Sequence, residues 1–315
     1  GDDDLGANSG SACVFPAQRE HWEVTKKLTA SDGAAYKTFG WSVAAAGDVV
    51  VVGAKGDDDL GTDSGSAYVF ERNAGGTNTW GQIKKLLASD GAADDYFGTS
   101  VAAAGDVVVV GAYCDDDLGQ QSGSAYVFER NAGGTNQWGQ VKKLLASDGA
   151  AWEYFGNSVA AAGDMVVVGD DNEHDSAAYV YERNAGGTNA WAQVKKLVAS
   201  DGADSDHFGR SVAAAGDVIA VGAYATNAAY VYEGTLFGPP TITNITSAGS
   251  SVFLSWPCQP VWLYDVEITS DLVDDPWVPA ADALLNLPGN DGGSMTVEDS
   301  RVFGKGFRRL RRHAP

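Results

Sequence analysis

Apolar and polar residues fall along this chain in short runs that return in a fixed order. A run of small residues, Ser42-Val43-Ala44-Ala45-Ala46, closes on Gly47-Asp48 and is followed by uninterrupted valine from Val49 to Val52, ending in Gly53-Ala54. After an acidic stretch comes Ser66 to Glu71 (SAYVFE), in which Ala67, Val69 and Glu71 alternate with Tyr68 and Phe70. A Gly- and Asn-bearing segment, Asn73 to Asn78, then leads into Trp80 to Leu86 (WGQIKKL). Short β-prone runs with period-two alternation between turn signals predict strands. Four of them in succession, joined by hairpin-type turns, predict an antiparallel meander. None of the apolar runs has helical spacing.

The order is a repeat. The segment Ser64 to Ala112 returns almost letter for letter at Ser122 to Gly169 and with more drift at Ser176 to Ala223, and a truncated copy lies at Ser9 to Ala54. The pairs Phe39-Gly40, Phe97-Gly98, Phe155-Gly156 and Phe208-Gly209 mark a spacing of 58, 58 and 53 residues. A four-stranded β unit of this length has the size of a propeller blade, whereas the coils of a β-solenoid are shorter and parallel. The Ala/Ser/Val strand suits a crowded centre where blades converge. The all-valine strand suits burial between neighbouring blades. The strand with Lys84-Lys85, Lys142-Lys143 or Lys195-Lys196 suits an outer edge, where lysine blocks edge-to-edge pairing.

The copies are uneven at the ends. The first supplies only its third and fourth strands (Ser11 to Phe15, Trp22 to Leu28), and the fifth only its first three (Ser211 to Ala215, Val218 to Val221, Ala228 to Tyr232). The ends are complementary, so a ring closed within one chain and a joint between chains both remain open. After GTLFGPP the chain changes character: SVFLSWP, WLYDVEITSDL, SMTVED and GFRRLRR read as short strands at β-sandwich spacing. The expectation is an all-β chain: a β-propeller of about five four-stranded blades at 1–234, a linker at 235–240 and a small β-sandwich at 241–315.

The motifs carry a family resemblance. Phe-Gly, then Ser-Val-Ala, then Val-Val-Gly-Ala, then Ala-Tyr-Val-Phe resembles the FG-GAP repeat of integrin α-subunit propellers, in its secreted bacterial form, over about residues 1 to 235. The tail, through Leu254-Ser255-Trp256-Pro257, Glu267 to Leu272, Trp277 and Phe307 to Arg311, resembles small fibronectin-III-like modules. The resemblance implies an extracellular or cell-surface protein. In integrin-type blades the turn between the first two strands is a calcium loop of the form DxDxDGxxD. Here that turn is only Gly47-Asp48, Gly105-Asp106, Gly163-Asp164 or Gly216-Asp217, so the family's own calcium site does not carry over.

Charge moves attention to the other end of the blades. The net charge of −21 argues against nucleic acid and anionic membranes, and no apolar run approaches the roughly 20 residues of a membrane span. Loops between second and third strands carry Asp2-Asp3-Asp4, Asp57-Asp58-Asp59, Asp115-Asp116-Asp117 and Asp170-Asp171, with Asp63 and Asp175 further along. Links between blades add Asp32, Asp90, Asp95, Asp148 and Glu153 to the same end. Like charges 4 Å apart repel by about 4 kcal/mol near a protein surface, and a structural Ca²⁺ with its six to eight oxygen ligands would relieve them. The metal-ligand expectation therefore covers all thirteen loop residues from Asp2 to Asp175. The opposite end looks much less charged.

No catalytic constellation emerges. His21, His174, His207 and His313 sit at unrelated phases of the repeat without zinc-type spacing, and near-identical copies do not supply the two distinct carboxylates a glycosidase needs. The tryptophans Trp22, Trp80, Trp138 and Trp191 recur in phase and read as packing residues, with sugar stacking as the alternative. Cys13, Cys114 and Cys258 lie in unrelated contexts, and one of the three is left unpaired within the chain. The chain opens on GDDDLG, as a processed product would. These features predict a secreted, non-enzymatic structural or adhesive protein, stabilised by calcium, forming a homo-oligomer or polymer; recognition of a glycan or protein is the alternative, and a polysaccharide-active enzyme the third reading.

Overall fold

A computed structural model describes residues 2–15, 24–172 and 176–233, and the backbone of strands between 244 and 313. The predicted linker at 235–240 lies outside the described residues, as do Trp22, His21, His174, Asp175 and Cys258. The chain divides into two units, Gly1–Gly234 and Thr235–Pro315.

In the first unit the periodicity of the sequence becomes a series of antiparallel sheets. A two-stranded ribbon, β1 (Ala12–Val14) and β2 (Lys26–Leu28), comes first. A sheet of β3 (Ser42–Ala46), β4 (Val49–Ala54), β5 (Ser66–Glu71) and β6 (Gly81–Leu86) follows in chain order. The next comprises β7 (Ser100–Ala104), β8 (Val107–Ala112), β9 (Ser124–Glu129) and β10 (Gly139–Leu144). Then come β11 (Ser158–Ala162), β12 (Met165–Gly169), β13 (Ala178–Glu182) and β14 (Ala192–Leu197). The last sheet has three strands, β15 (Phe208–Ala215), β16 (Val218–Ala223) and β17 (Ala228–Glu233). The only helical element among the described residues is a single 3-10 turn, Tyr224–Thr226.

Sheets stack face to face by one rule. The valine side of one sheet (Val49, Val51, Ala67, Val69) packs on the aromatic side of the next (Val108, Val110, Tyr126, Phe128, with Phe97 and Trp138). The following pair repeats it with Val107, Val109 and Val127 against Val166, Val168, Tyr179, Tyr181 and Trp191. Ala12 and Val14 of the ribbon pack likewise against Val50, Val52, Tyr68 and Phe70. That is why β4 and β8 read VVVV. Both faces are buried, and each fully buried valine stabilises by roughly 1.5–3 kcal/mol. The in-phase tryptophans Trp80, Trp138 and Trp191 are buried in these layers, each beneath an arginine (Arg72, Arg130, Arg183), so they pack blades and are closed to sugars.

The Phe-Gly pair locks each sheet to the one before it. The φ of Gly98 is +90°, and a Cβ there would lie 2.2 Å from the Ser66 carbonyl oxygen. The Gly98 carbonyl in turn accepts a 2.8 Å hydrogen bond from Ser42 of the preceding sheet, and Ser100 and Ser158 repeat the contact to Gly156 and Gly209 at 2.7 Å.

In the second unit two sheets are described by backbone pairing alone. Strands β18 (Asn244–Ala248), β19 (Ser251–Pro257) and β23 (Ser294–Asp299) form one. In the other, β20 (Leu263–Thr269) pairs with β21 (Val278–Pro279), β22 (Leu287–Pro288) and β24 (Phe307–His313).

Candidate functional site

The acidic loops join β4 to β5 and β8 to β9, and their repeated DDD triplet divides three tasks among three residues. The first aspartate is buried. Asp57 accepts hydrogen bonds from Tyr68 Oη (2.8 Å) and Ser66 Oγ (2.9 Å), and ion pairs from Lys85 (2.9 Å) and Lys37 (3.1 Å). The second staples the loop to itself: the Asp58, Asp3 and Asp116 carboxylates accept the backbone N–H five residues on, at Asp63, Asn8 and Gln121. The third stays exposed and gives lysine another oxygen, with Lys85 2.7 Å from Asp59 and Lys143 2.6 Å from Asp117.

Lysine ammoniums lie among these carboxylates. Lys85 Nζ lies 2.6, 2.9 and 2.7 Å from Asp32, Asp57 and Asp59, and Lys143 repeats this at 2.9, 3.0 and 2.6 Å from Asp90, Asp115 and Asp117. In the first unit of the repeat Lys27 bridges Asp2 and Asp4, both at 2.5 Å. A β-bulge makes the geometry. Register shifts between Val69 and Phe70, so Ile83 is skipped and Lys85, not Lys84, stands opposite Tyr68. The same bulge recurs at Gln140/Lys142 and Val180/Tyr181. The second lysine of each pair is thus drawn to the loop carboxylates as well as sitting on the edge strand.

The electrostatics follow from this. Burial alone would raise the Asp57 carboxyl, but hydrogen bonds from Lys85, Tyr68 and Ser66 outweigh it and hold it well below the usual carboxylate range. Burial would lower the Lys85 ammonium, yet Asp32, Asp59 and Asp57 carry it above the ordinary lysine value. The oxygens of Asp32, Asp57 and Asp59 lie within 4.8 Å of one another, a donor set that suits a hard cation, and the Lys85 ammonium is bonded to all three.

Two copies depart from the pattern. In the third repeat unit the place of Lys37 is taken by Asp95, whose buried carboxyl is pushed up to about 6 by desolvation and the nearby Asp115. In the fourth, pairing of Gly169 with Ala178 places Asp170 on the strand line of Ala54 and Ala112, not in the loop, and Asp171 at the position of Lys55 and Tyr113. That corrects the expectation that Asp170 lies in the loop between the second and third strands; a loop five residues shorter moves the register. Asp170 is fully buried, its Oδ2 has no hydrogen-bond partner, and desolvation with Glu153 nearby raises it to about 8. Asp171 instead holds His207 (2.9 Å) and Arg210. Lys196 reaches Asp148 at 2.7 Å.

The opposite end is more charged than the sequence suggests. Arg130 pairs with Asp48 (3.0 Å) and Glu71 (3.1 Å) of the preceding sheet, and Arg183 with Asp106 (3.1 Å) and Glu129 (3.4 Å). The arginine of the FERN segment was the signal, recurring in phase with the Gly-Asp turns. Ion pairs thus tie neighbouring sheets at both ends.

Repeated four-stranded antiparallel sheets, stacked by face and tied at both ends, with Phe-Gly at each junction, define a modular β-sheet repeat protein whose units fit propeller blades. A family model of the FG-GAP repeat matches residues 22–70, 80–128, 138–181 and 191–235. The chain belongs to the FG-GAP repeat family. A search of curated proteins returned no match.

Proposed function

We propose that this chain is a secreted or cell-surface, non-enzymatic structural and adhesive protein of about five propeller-type blades followed by a β-sandwich, and that copies join head to tail through their incomplete end blades. One observation carries the reading. On the last sheet Val231 is 62 % exposed, whereas Val69, Val127 and Val180 at the same repeat position are 0 % exposed. In β16 buried residues alternate with half-buried ones and in β17 half-buried with exposed ones, while β4, β8 and β12 are buried throughout.

The other end presents the complementary face. Cys13 and Phe15 occupy the positions of Tyr68 and Phe70; Cys13 is exposed and Phe15 is 47 % exposed, against 1 % and 3 % for the internal pair. Three internal interfaces join a valine face to an aromatic face, and the two open faces match the halves of that same interface. A heterologous contact of this kind closes a ring or extends a filament. The net charge of −21 opposes association, and salt that screens it should promote assembly.

Equilibrium sedimentation across protein and salt concentration tests the reading. It expects oligomers that Val231→Lys dissociates without loss of fold. A species that stays monomeric throughout, or a Val231→Lys protein that unfolds, moves the contact inside one chain.

On the same reading lysine neutralises the acidic rim, and calcium binds at Asp32, Asp57 and Asp59 only by displacing Lys85. Calorimetry separates the two. Heat from calcium that disappears in Asp57→Ala/Asp59→Ala supports a calcium-stabilised rim, and no heat assigns the role to Lys85.

A further inference from the structure

Among near-identical repeats, a few positions beside the Phe-Gly pairs vary from copy to copy, three of them bearing on one surface. SVAAAGD is invariant at 42–48, 100–106, 158–164 and 211–217. The residue just before it is Trp41, Thr99, Asn157 or Arg210; the residue ending the second strand's run is Lys55, Tyr113, Asp171 or Tyr224; and the residue before the Phe-Gly is Thr38, Tyr96, Tyr154 or His207. The first strand beside them reads SVAAA in every copy, so these residues vary against a constant neighbour.

The variable residues are neighbours in space. Lys55 Nζ lies 3.3 Å from the centroid of the Trp41 ring and 5.5 Å from that of Tyr96. Tyr96 stacks on Tyr113 at 5.6 Å, and Tyr113 meets Tyr154 of the following sheet at 6.0 Å. They form a continuous ridge along the inner edge of the acidic rim, where β3, β7 and β11 adjoin. Tyr96 and Tyr154 hold φ of +55° and +56°, the left-handed backbone that Thr38 and His207 share at the same repeat position, a conformation that disfavours bulky side chains.

Its chemistry selects a ligand. Lys55 makes no close ion pair or hydrogen bond among the described residues, and Asp63 is the carboxylate whose charge reaches it. Its ammonium fills the pocket between the Trp41 and Tyr96 rings, so the place a basic ligand would take is occupied. A polyanion is repelled by the carboxylates around it. What remains open is the outer face of Trp41, 56 % exposed, beside half-buried tyrosines. An aromatic face with polar groups at its margin accepts the C–H face and hydroxyls of a neutral sugar ring.

We propose that the ridge of Trp41, Lys55, Tyr96, Tyr113 and Tyr154 is a binding site for a neutral oligosaccharide. The site is separate from the end faces, and its success or failure is independent of head-to-tail assembly.

The full chain is titrated with cellopentaose, mannopentaose and chitopentaose by calorimetry and tryptophan fluorescence, with pentalysine and polygalacturonate as charged controls. At least one neutral oligomer is expected to bind at millimolar concentration or below and to quench fluorescence. Trp41→Ala and Tyr113→Ala should each weaken it by about tenfold, with unfolding midpoints showing that Trp41→Ala, a change at an exposed ring, keeps the fold. Val231→Lys should leave it unchanged. Binding by none of the three neutral oligomers, binding insensitive to Trp41→Ala, or tighter binding of either charged control would overturn the proposal.

Discussion

Replacing Asp57 by alanine isolates what the first aspartate of each triplet does. The side chain is 1 % exposed and accepts from Tyr68, Ser66, Lys85 and Lys37. Removing one partner of a buried charge pair costs about 3–5 kcal/mol, because the partner's charge stays buried. Three of its side-chain donors keep a second acceptor: Lys85 retains Asp32 and Asp59, Tyr68 retains Asp32, and Lys37 retains Asp58. The Ser66 hydroxyl and the Asp59 backbone N–H lose theirs, so the cost should fall at the low end, about 3 kcal/mol. Asp59→Ala removes a single exposed contact and should cost no more than about 1 kcal/mol.

Urea unfolding of the two variants beside the unsubstituted chain measures the difference. The Asp57 carboxyl sits below its unfolded value, so its contribution is present above about pH 4 and lost as pH falls through the folded value. The gap between the chain and Asp57→Ala should therefore close in acid. Equal costs for Asp57→Ala and Asp59→Ala, or a gap that persists in acid, would refute the division of labour.

Further outcomes follow from neighbouring groups. Burial raises the Asp170 carboxyl to about 8, so the folded chain holds an extra proton between about pH 4 and 8, and stability should fall with rising pH by up to roughly 1.4 kcal/mol per unit there; Asp170→Asn should flatten that slope in a pH series of urea melts. Gly98→Ala places a methyl 2.2 Å from a backbone oxygen at φ +90°, and calorimetric unfolding should show a loss of about 3 kcal/mol or more. Cys114 is buried with its thiol pushed up to about 11, whereas Cys13 is exposed on the open end face; in the folded Val231→Lys chain, whose end faces stay uncovered, a thiol reagent followed by peptide mapping should label Cys13 and spare Cys114.

The sheets were legible because their signals are local. Valine runs, Gly-Asp turns and the Phe-Gly spacing each act within a few residues, and β3 through β17 lie where alternation put them. The incomplete ends were legible as counts of strands, but not as an open valine face and an open aromatic face. Three features of the rim escaped for physical reasons. The bulge that skips Ile83 leaves no mark in composition, yet it decides that Lys85 joins the carboxylates. Asp170 read as a loop acid like its counterparts, but strand pairing puts it on the line of Ala112. The aromatic ridge joins Trp41, Lys55, Tyr96, Tyr113 and Tyr154 across three sheets, and a repeat draws the eye to what recurs, not to what varies.

Whether the two open end faces meet between molecules is read most directly by negative-stain electron microscopy of the full chain at high concentration, beside Val231→Lys. Head-to-tail rings or filaments that break into single particles in the variant are the predicted result. Single particles in both samples, at every salt concentration, would contradict the account.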